Sequence, residues 1–192
     1  MSPSNLGVLA SQISGHLYSN SYESIATVTL ASDTATISFT GIPSTYSSLQ
    51  IRGIGRATFG STSTEGVYIT MNGDGAGNYA THHLTGDGTS AAAGAYSTPN
   101  GSYIFANNLL PMNNETANMF GAFVFDIHDY ASTSKFKTLR AMYGYNNNTS
   151  TDSFVRLLSG LWRSTSAVTS ITFTPELGSF KTGTKIALYG VK

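Results

Sequence analysis

The chain has 192 residues, of which 40% are hydrophobic and only 10% are charged, and its formal net charge is zero. This length suffices for one sizeable core, and the balanced charge excludes the basic field that attracts a nucleic-acid backbone. Because the chain has no cysteine, disulfides and thiolate metal sites are excluded as well.

Residues 1–20 differ from the rest of the chain, because their apolar residues follow neither a helical nor a strand period. One interpretation is a frayed terminus. The other is an extended arm that becomes ordered on a neighbouring subunit. We therefore predict an arm over residues 1–20 and a β-domain over 21–192, and the predicted partner contacts of the arm are Leu6, Val8, Leu9, Ile13 and Leu17.

The strand pattern begins at residue 22. Apolar and polar residues alternate over 26–30 and again over 35–39, which predicts two strands joined as a hairpin by the turn at 31–33. A third strand is predicted around residues 49–54, where Gly53 and Gly55 indicate a β-bulge.

The remaining strands are short and separated by turn residues. Alternation predicts a strand over 67–71, whereas residues 72–100 are rich in Gly, Ala and Asn and are predicted to form an extended loop that carries short strands, of which 79–84 is the favoured one. Further strands are predicted at 103–106, 119–128, 136–145, 154–162, 167–173 and 184–191. Such a series predicts an all-β fold, namely an antiparallel two-sheet sandwich of the jelly-roll type.

Two polar motifs resemble metal sites but have simpler interpretations. Neighbouring residues of a strand face opposite sides, so His82 and His83 are expected to divide between a packed and an exposed position. The glycine-rich run around Asp74 lacks the further acidic ligands of a calcium loop and predicts a turn capped by an aspartate.

A third polar motif, formed by Asp126, His128 and Asp129, ends the strongest predicted strand. Asp126 and His128 share one face, so an acid–base pair is possible. A strand-end turn, in which Asp129 bonds the backbone of residues 130–132, is the favoured interpretation. Glu65, Glu115 and Glu176 are isolated in expected polar loops, and neither a catalytic nor a metal site is predicted.

Aromatic and amide groups cluster around residue 145, at an expected hairpin tip. Such groups stack on sugars and bond to them, so the predicted glycan-contact candidates are Tyr143, Tyr145, Asn146, Asn147 and Asn148. The only tryptophan, Trp162, ends an apolar strand and is predicted to be a core or subunit-interface anchor.

Several segments together resemble a group of structural proteins from the virions of tailed phages. They are residues 41–52, 78–82, 121–126, 129–138, 159–162 and 187–190. The resemblance covers roughly residues 22–192 and consists of strand edges and turns, without a catalytic signature. It implies a capsid decoration or cement protein, or a module associated with the tail or its fibres.

The resemblance sets the functional expectations. The first is a non-enzymatic virion protein, made in the host cytoplasm, that covers the capsid exterior as a homo-oligomer, with a trimer favoured, and binds the major capsid protein or other virion proteins. The second is a receptor- or glycan-binding module of the tail. A hydrolase that uses Asp126, His128 and Asp129 is the third. No cofactor, nucleic acid or membrane is expected.

Overall fold

The structure, a computed structural model, describes residues 21–61, 63–147 and 153–192, without the side chains of 97–99. The predicted arm contacts Leu6, Val8, Leu9, Ile13 and Leu17 lie outside these residues, as does Asn148. The described residues contain no helix. Their strands are β1 (Tyr22–Thr29), β2 (Ile37–Thr40), β3 (Ser48–Gly55), β4 (Thr64–Met71), β5 (Tyr79–Gly86), β6 (Ala91–Gly101), β7 (Ile104–Pro111), β8 (Gly121–His128), β9 (Lys137–Tyr145), β10 (Phe154–Trp162), β11 (Ser170–Pro175) and β12 (Lys185–Val191).

The strands form two antiparallel sheets, which confirms the predicted all-β sandwich. The large sheet has eight strands in the order β1-β12-β3-β8-β9-β10-β5-β6, and the small sheet has four in the order β2-β11-β4-β7. Strands from the two ends of the chain pair progressively inward: β1 with β12, β2 with β11, β3 with β8 and β4 with β7. Two hairpins, β5–β6 and β9–β10, are added to one side of the large sheet.

The core lies between the sheets and is built from every second residue of the strands, whose side chains face inward. The rings of Phe125 in the large sheet and Phe173 in the small sheet have centroids 6.0 Å apart, and Phe39 meets Phe173 edge-on at 6.4 Å. All three rings are at least 97% buried. The first contact joins the two sheets and the second lies within the small sheet, and both contribute buried area and favourable ring geometry.

The predicted hairpin of the first two strands is wrong. β1 pairs with β12 in the large sheet, whereas β2 pairs with β11 in the small sheet. The connection between them bonds to the segment before β12 instead, since the Leu30 amide donates to the Thr184 carbonyl at 2.9 Å and Thr34 exchanges two backbone bonds with Phe180. The chain therefore crosses from one sheet to the other at this point.

The predicted bulge at Gly53 and Gly55 is also wrong, because β3 keeps an unbroken register with both neighbours. Gly53 instead permits a close approach: a Cβ there would lie 2.4 Å from the ring of Phe123. The predicted extended loop at 72–100 is a third error, although the strand expected within it at 79–84 is present as part of β5. Most of it forms the β5–β6 hairpin, whose second strand has eleven residues.

Candidate contact surface

The outer face of the large sheet, which points away from the small sheet, has an apolar half. Side chains in register across neighbouring strands form two adjacent apolar rows, and each row ends at a cation, since Lys185 is in register with Ile54 and Arg52 with Val124. We call them together the apolar patch. One row contains Ile54, Ala122, Gly144, Val155, Gly86 and Ala91, and the other contains Val124, Met142, Leu157, Leu84 and Ala93.

The large side chains of the apolar patch are about half exposed. Of the eight large apolar side chains that are exposed among the described residues, five lie in it: Ile54 (45%), Leu84 (48%), Met142 (52%), Val155 (53%) and Leu157 (52%). Single exposed apolar residues are normal on a protein surface, but a contiguous group marks a contact site. The apolar patch is therefore the strongest candidate for a functional surface.

The apolar patch is concave at Gly144. An open depression of ≈ 740 Å³ lies there, with Ala122, Met142 and Val155 among its apolar lining and residues 86–88 at its edge. Gly144 forms part of its lining. This position requires glycine, because a Cβ here would lie 2.2 Å from the backbone oxygen of Phe154. Any other residue would force the β9 and β10 backbones apart, so a flat, side-chain-free spot is built into the sheet.

The other half of the outer face is polar and internally bonded. The Gln50 amide donates to the Asp126 carboxylate at 2.7 Å, and the Arg140 guanidinium lies 3.0 Å from Nε2 of His128. The guanidinium of Arg52 lies 4.7 Å from the ring centroid of Tyr22. These groups already have partners on the sheet, so this half offers fewer free apolar or polar groups to a ligand.

The predicted glycan-contact residues are only partly at the surface. The side chains of Tyr143 and Tyr145 are buried, with 2% and 8% exposed, because both face inward from β9. The Tyr143 hydroxyl donates to the backbone carbonyl of Asn107 at 3.0 Å, and that of Tyr145 donates to the carbonyl of Ser63 at 3.2 Å. Neither ring is available for stacking on a sugar, which corrects the sequence-based interpretation.

The predicted amide contacts divide in the same way. Asn146 is exposed at the edge of the depression. Asn147 is buried, and its side-chain amide donates to Glu115 at 3.3 Å. Of the predicted residues that the structure describes, Tyr143, Tyr145 and Asn146 line the depression, and Asn146 is the exposed one among them.

Asp126, His128 and Asp129 are directed to three different partners. Asp126 accepts from Gln50 and His128 contacts Arg140, as described above, while the carboxylate of Asp129 pairs with Lys135 at 3.1 Å. The predicted turn is present, because the Ser132 amide donates to the backbone carbonyl of Asp129 at 2.9 Å. The prediction that the Asp129 side chain bonds that backbone is wrong.

The other polar motifs have structural roles. His82 is exposed, whereas the His83 ring stacks on Tyr96 with centroids 4.8 Å apart. Asp74 caps its own turn through the Ala76 amide and accepts the Trp162 indole N–H at 2.7 Å; this indole bond, with one from Asn78, lowers the pKa of Asp74. Within the described residues, no three His, Cys, Asp or Glu side chains are grouped to hold a metal ion.

Four charged side chains are buried among the described residues, namely Arg56, Glu65, Lys137 and Arg156, and none was anticipated from the sequence. The Arg56 guanidinium donates to the backbone carbonyls of residues 113, 115, 116 and 119 and so holds the loop before β8. Glu65 is 99% buried and accepts the Leu177 amide at 2.8 Å, while its Oε2 has no partner. Burial, with a contribution from Glu176, raises the pKa of Glu65 to about 7.

We found no family model, no curated protein and no solved structure that matches the chain. The part of the chain that the structure describes includes no helix of the length and hydropathy needed to cross a bilayer.

Sequence reasoning also missed the apolar patch. The signal was present in β10, where Val155 and Leu157 occupy the parity opposite to the buried Leu158. In a strand that is apolar on both faces, however, alternation does not say which face is covered. The neighbouring rows come from strands far apart in sequence, so the patch becomes visible only when the strand order is known.

Proposed function

We propose that the chain is a non-enzymatic structural protein of a phage virion, which decorates the capsid exterior and binds a partner protein there through the apolar patch. The observation that carries this proposal is the patch itself. Its two rows present five half-exposed large apolar side chains without a charge. Burial of such side chains in a contact stabilises it by roughly 25 cal/mol per Å² of apolar surface before the costs of association.

The strand order supports a jelly-roll assignment and, with it, a virion role. Without the β5–β6 and β9–β10 hairpins, successive strands alternate between the two sheets except at the centre, where β4 and β7 pair within the small sheet, and the chain pairs with itself from its ends inward. Eight strands in two sheets with two Greek keys define the jelly roll, a fold used by viral capsid proteins and also by lectins. Fold alone does not determine function, so the patch remains the main argument.

The test places two charges on the apolar patch and compares them with the same charges on the polar half. Met142→Glu with Leu157→Glu alters the patch, and Thr138→Glu with Ser159→Glu alters exposed positions of the same two strands. In co-sedimentation with purified particles that lack this chain, the first variant is expected to bind at least about tenfold more weakly, because a buried unpaired charge is costly. Equal loss in both variants, or no loss in the first, would contradict the proposal.

A tail-associated glycan-binding module is the second candidate, and the depression at Gly144 favours it. Asn146, Ser153 and Asp87 are polar residues of its lining, and Phe154 supplies an aromatic ring. The Asp87 carboxylate also accepts from Thr89 and Ser90, and the Ser153 hydroxyl donates to Asn147. Small-molecule sites combine an apolar lining with a few polar groups in this way. Glycan-array binding that disappears in Asn146→Ala would favour this candidate, whereas hundreds of copies of the chain per virion would favour decoration of the capsid.

A further inference from the structure

We propose that residues 1–20 of the same chain lie across the apolar patch in the free protein. The inference rests on the proposed function in one respect, namely that the apolar patch is a contact surface. It does not depend on the identity of the particle.

The composition of the segment matches the surface. Residues 1–20 contain no Asp, Glu, Lys or Arg, and their aliphatic side chains are Leu6, Val8, Leu9, Ile13 and Leu17. The apolar patch likewise contains no charged side chain, and Lys185 and Arg52 border it on one side. Contact between the two would therefore bury apolar surface on both sides without burying an unpaired charge, and such burial is favourable.

The attachment point puts the apolar patch within reach. Tyr22 is the first residue of β1, and it shares a register row with Val191, Ser48, His128 and Thr138. Met142 lies four residues further along β9 than Thr138, and β9 is the fourth strand from β1. With strands ~4.8 Å apart and ~3.3 Å per residue, the separation is ~23 Å, which ~7 extended residues span.

The remaining length suffices to cover the apolar patch. About 13 residues stay available after the ~7 that cross the sheet, and they include Leu6, Val8, Leu9 and Ile13. A tether of this kind gives an effective concentration in the millimolar range. The segment of the same molecule therefore has an advantage over a second copy at ordinary protein concentrations.

Thiol protection tests the inference directly, because the natural chain has no cysteine. Met142→Cys is placed in the full chain and in a full chain with Leu6, Val8, Leu9 and Ile13 all changed to Ser. Maleimide labelling of the thiol is expected to be at least about tenfold slower with the natural segment. Thr40→Cys, exposed on the small sheet, should be labelled at the same rate in both backgrounds.

Two results would overturn the inference. They are equal labelling of Met142→Cys in both backgrounds, whether fast or slow, and protection that rises with chain concentration and so comes from a second copy. Should the serine variant fail to fold, oxidation of a Val8→Cys, Met142→Cys pair replaces it. A monomer-sized cross-linked product is expected, and absence of that product, or an equal yield from Val8→Cys with Thr40→Cys, would contradict the inference.

These measurements use the free chain without particles, so they can fail independently of the proposed function. Loss of particle binding in the Met142→Glu, Leu157→Glu variant, together with unprotected Met142→Cys, would support the contact surface and reject the segment. Protected Met142→Cys with unchanged particle binding would do the reverse.

Discussion

The two faces of the large sheet both carry apolar rows but differ in what covers them. On the inner face, Ile51, Phe125 and Leu139 are completely buried against the small sheet. On the outer face, Met142 and Leu157 are about half exposed although their strands are the same or adjacent. Burial drives folding on the inner face only, so the outer rows are not explained by the stability of the described fold.

Neighbouring residues of β10 give the largest expected difference between the faces. Leu158 is 4% exposed and Leu157 is 52% exposed. Leu158→Ala should lower the free energy of unfolding by about 2–4 kcal/mol, because it removes buried methyl groups and leaves a cavity. Leu157→Ala should change it by less than about 0.5 kcal/mol if the outer face is bare, and by more if residues 1–20 cover it as proposed. Denaturant unfolding measures both, and similar losses in the two variants would show that the outer rows are covered within the chain.

Such similar losses would also bear on the segment proposed to cover the apolar patch. The Leu157→Ala measurement should then be repeated in the chain whose Leu6, Val8, Leu9 and Ile13 are changed to Ser. A loss that disappears in this background would assign the cover to residues 1–20.

The buried carboxyl group of Glu65 makes the free energy of unfolding depend on pH. Because burial raises the pKa of Glu65 to about 7, the folded state binds this proton more tightly than the unfolded state. Its contribution to stability is therefore complete below the unfolded pKa and is lost as the pH rises through about 7. Between pH 5 and 8, Glu65→Gln should remove a decline on the order of 1–3 kcal/mol in the free energy of unfolding.

Glu23→Gln is the matched control for this measurement. Glu23 lies on exposed β1, where its hydrogen bond with Lys192 lowers its pKa, so it stays ionised over the same pH range. Its substitution should leave the slope between pH 5 and 8 unchanged. If Glu65→Gln has the slope of the natural chain, the burial of a titrating carboxyl group at this position is disproved.

The second half of the fold was largely predictable from sequence. The strand predicted over residues 154–162 coincides with β10, and those at 136–145 and 184–191 differ from β9 and β12 by one residue. In these strands, the alternation of apolar and polar residues and the flanking turn residues indicate the same strand bounds. β6 was missed because its run of Ala, Gly and Ser has little intrinsic preference for strands.

Long-range pairing was not predictable from local patterns. The turn after β1 suggested a hairpin, but the pairing of β1 is decided by β12, at the opposite end of the chain. The contact surface depends on the same information. Met142, Leu157 and Leu84 become neighbours only because β9, β10 and β5 are adjacent in the sheet. By contrast, the opposite environments of His82 and His83 follow from strand periodicity and were predicted.

Substitution of these two histidines should give the smallest change in the free energy of unfolding among the comparisons of the two faces. His83→Ala loses the stack on Tyr96 and should cost about 0.5–1.5 kcal/mol, whereas His82→Ala, on the outer face, should stay within about 0.5 kcal/mol. Burial, with Arg156 and His82 adding to it, lowers the pKa of His83. The folded state therefore binds this proton less tightly, and stability is lost as the pH falls from about 6.5. Thermal unfolding at pH 5 and pH 7 measures how much stability is lost in acid. This loss should be smaller in His83→Ala than in the natural chain and unchanged in His82→Ala. The opposite result would place His83, and not His82, on the exposed side of the sheet.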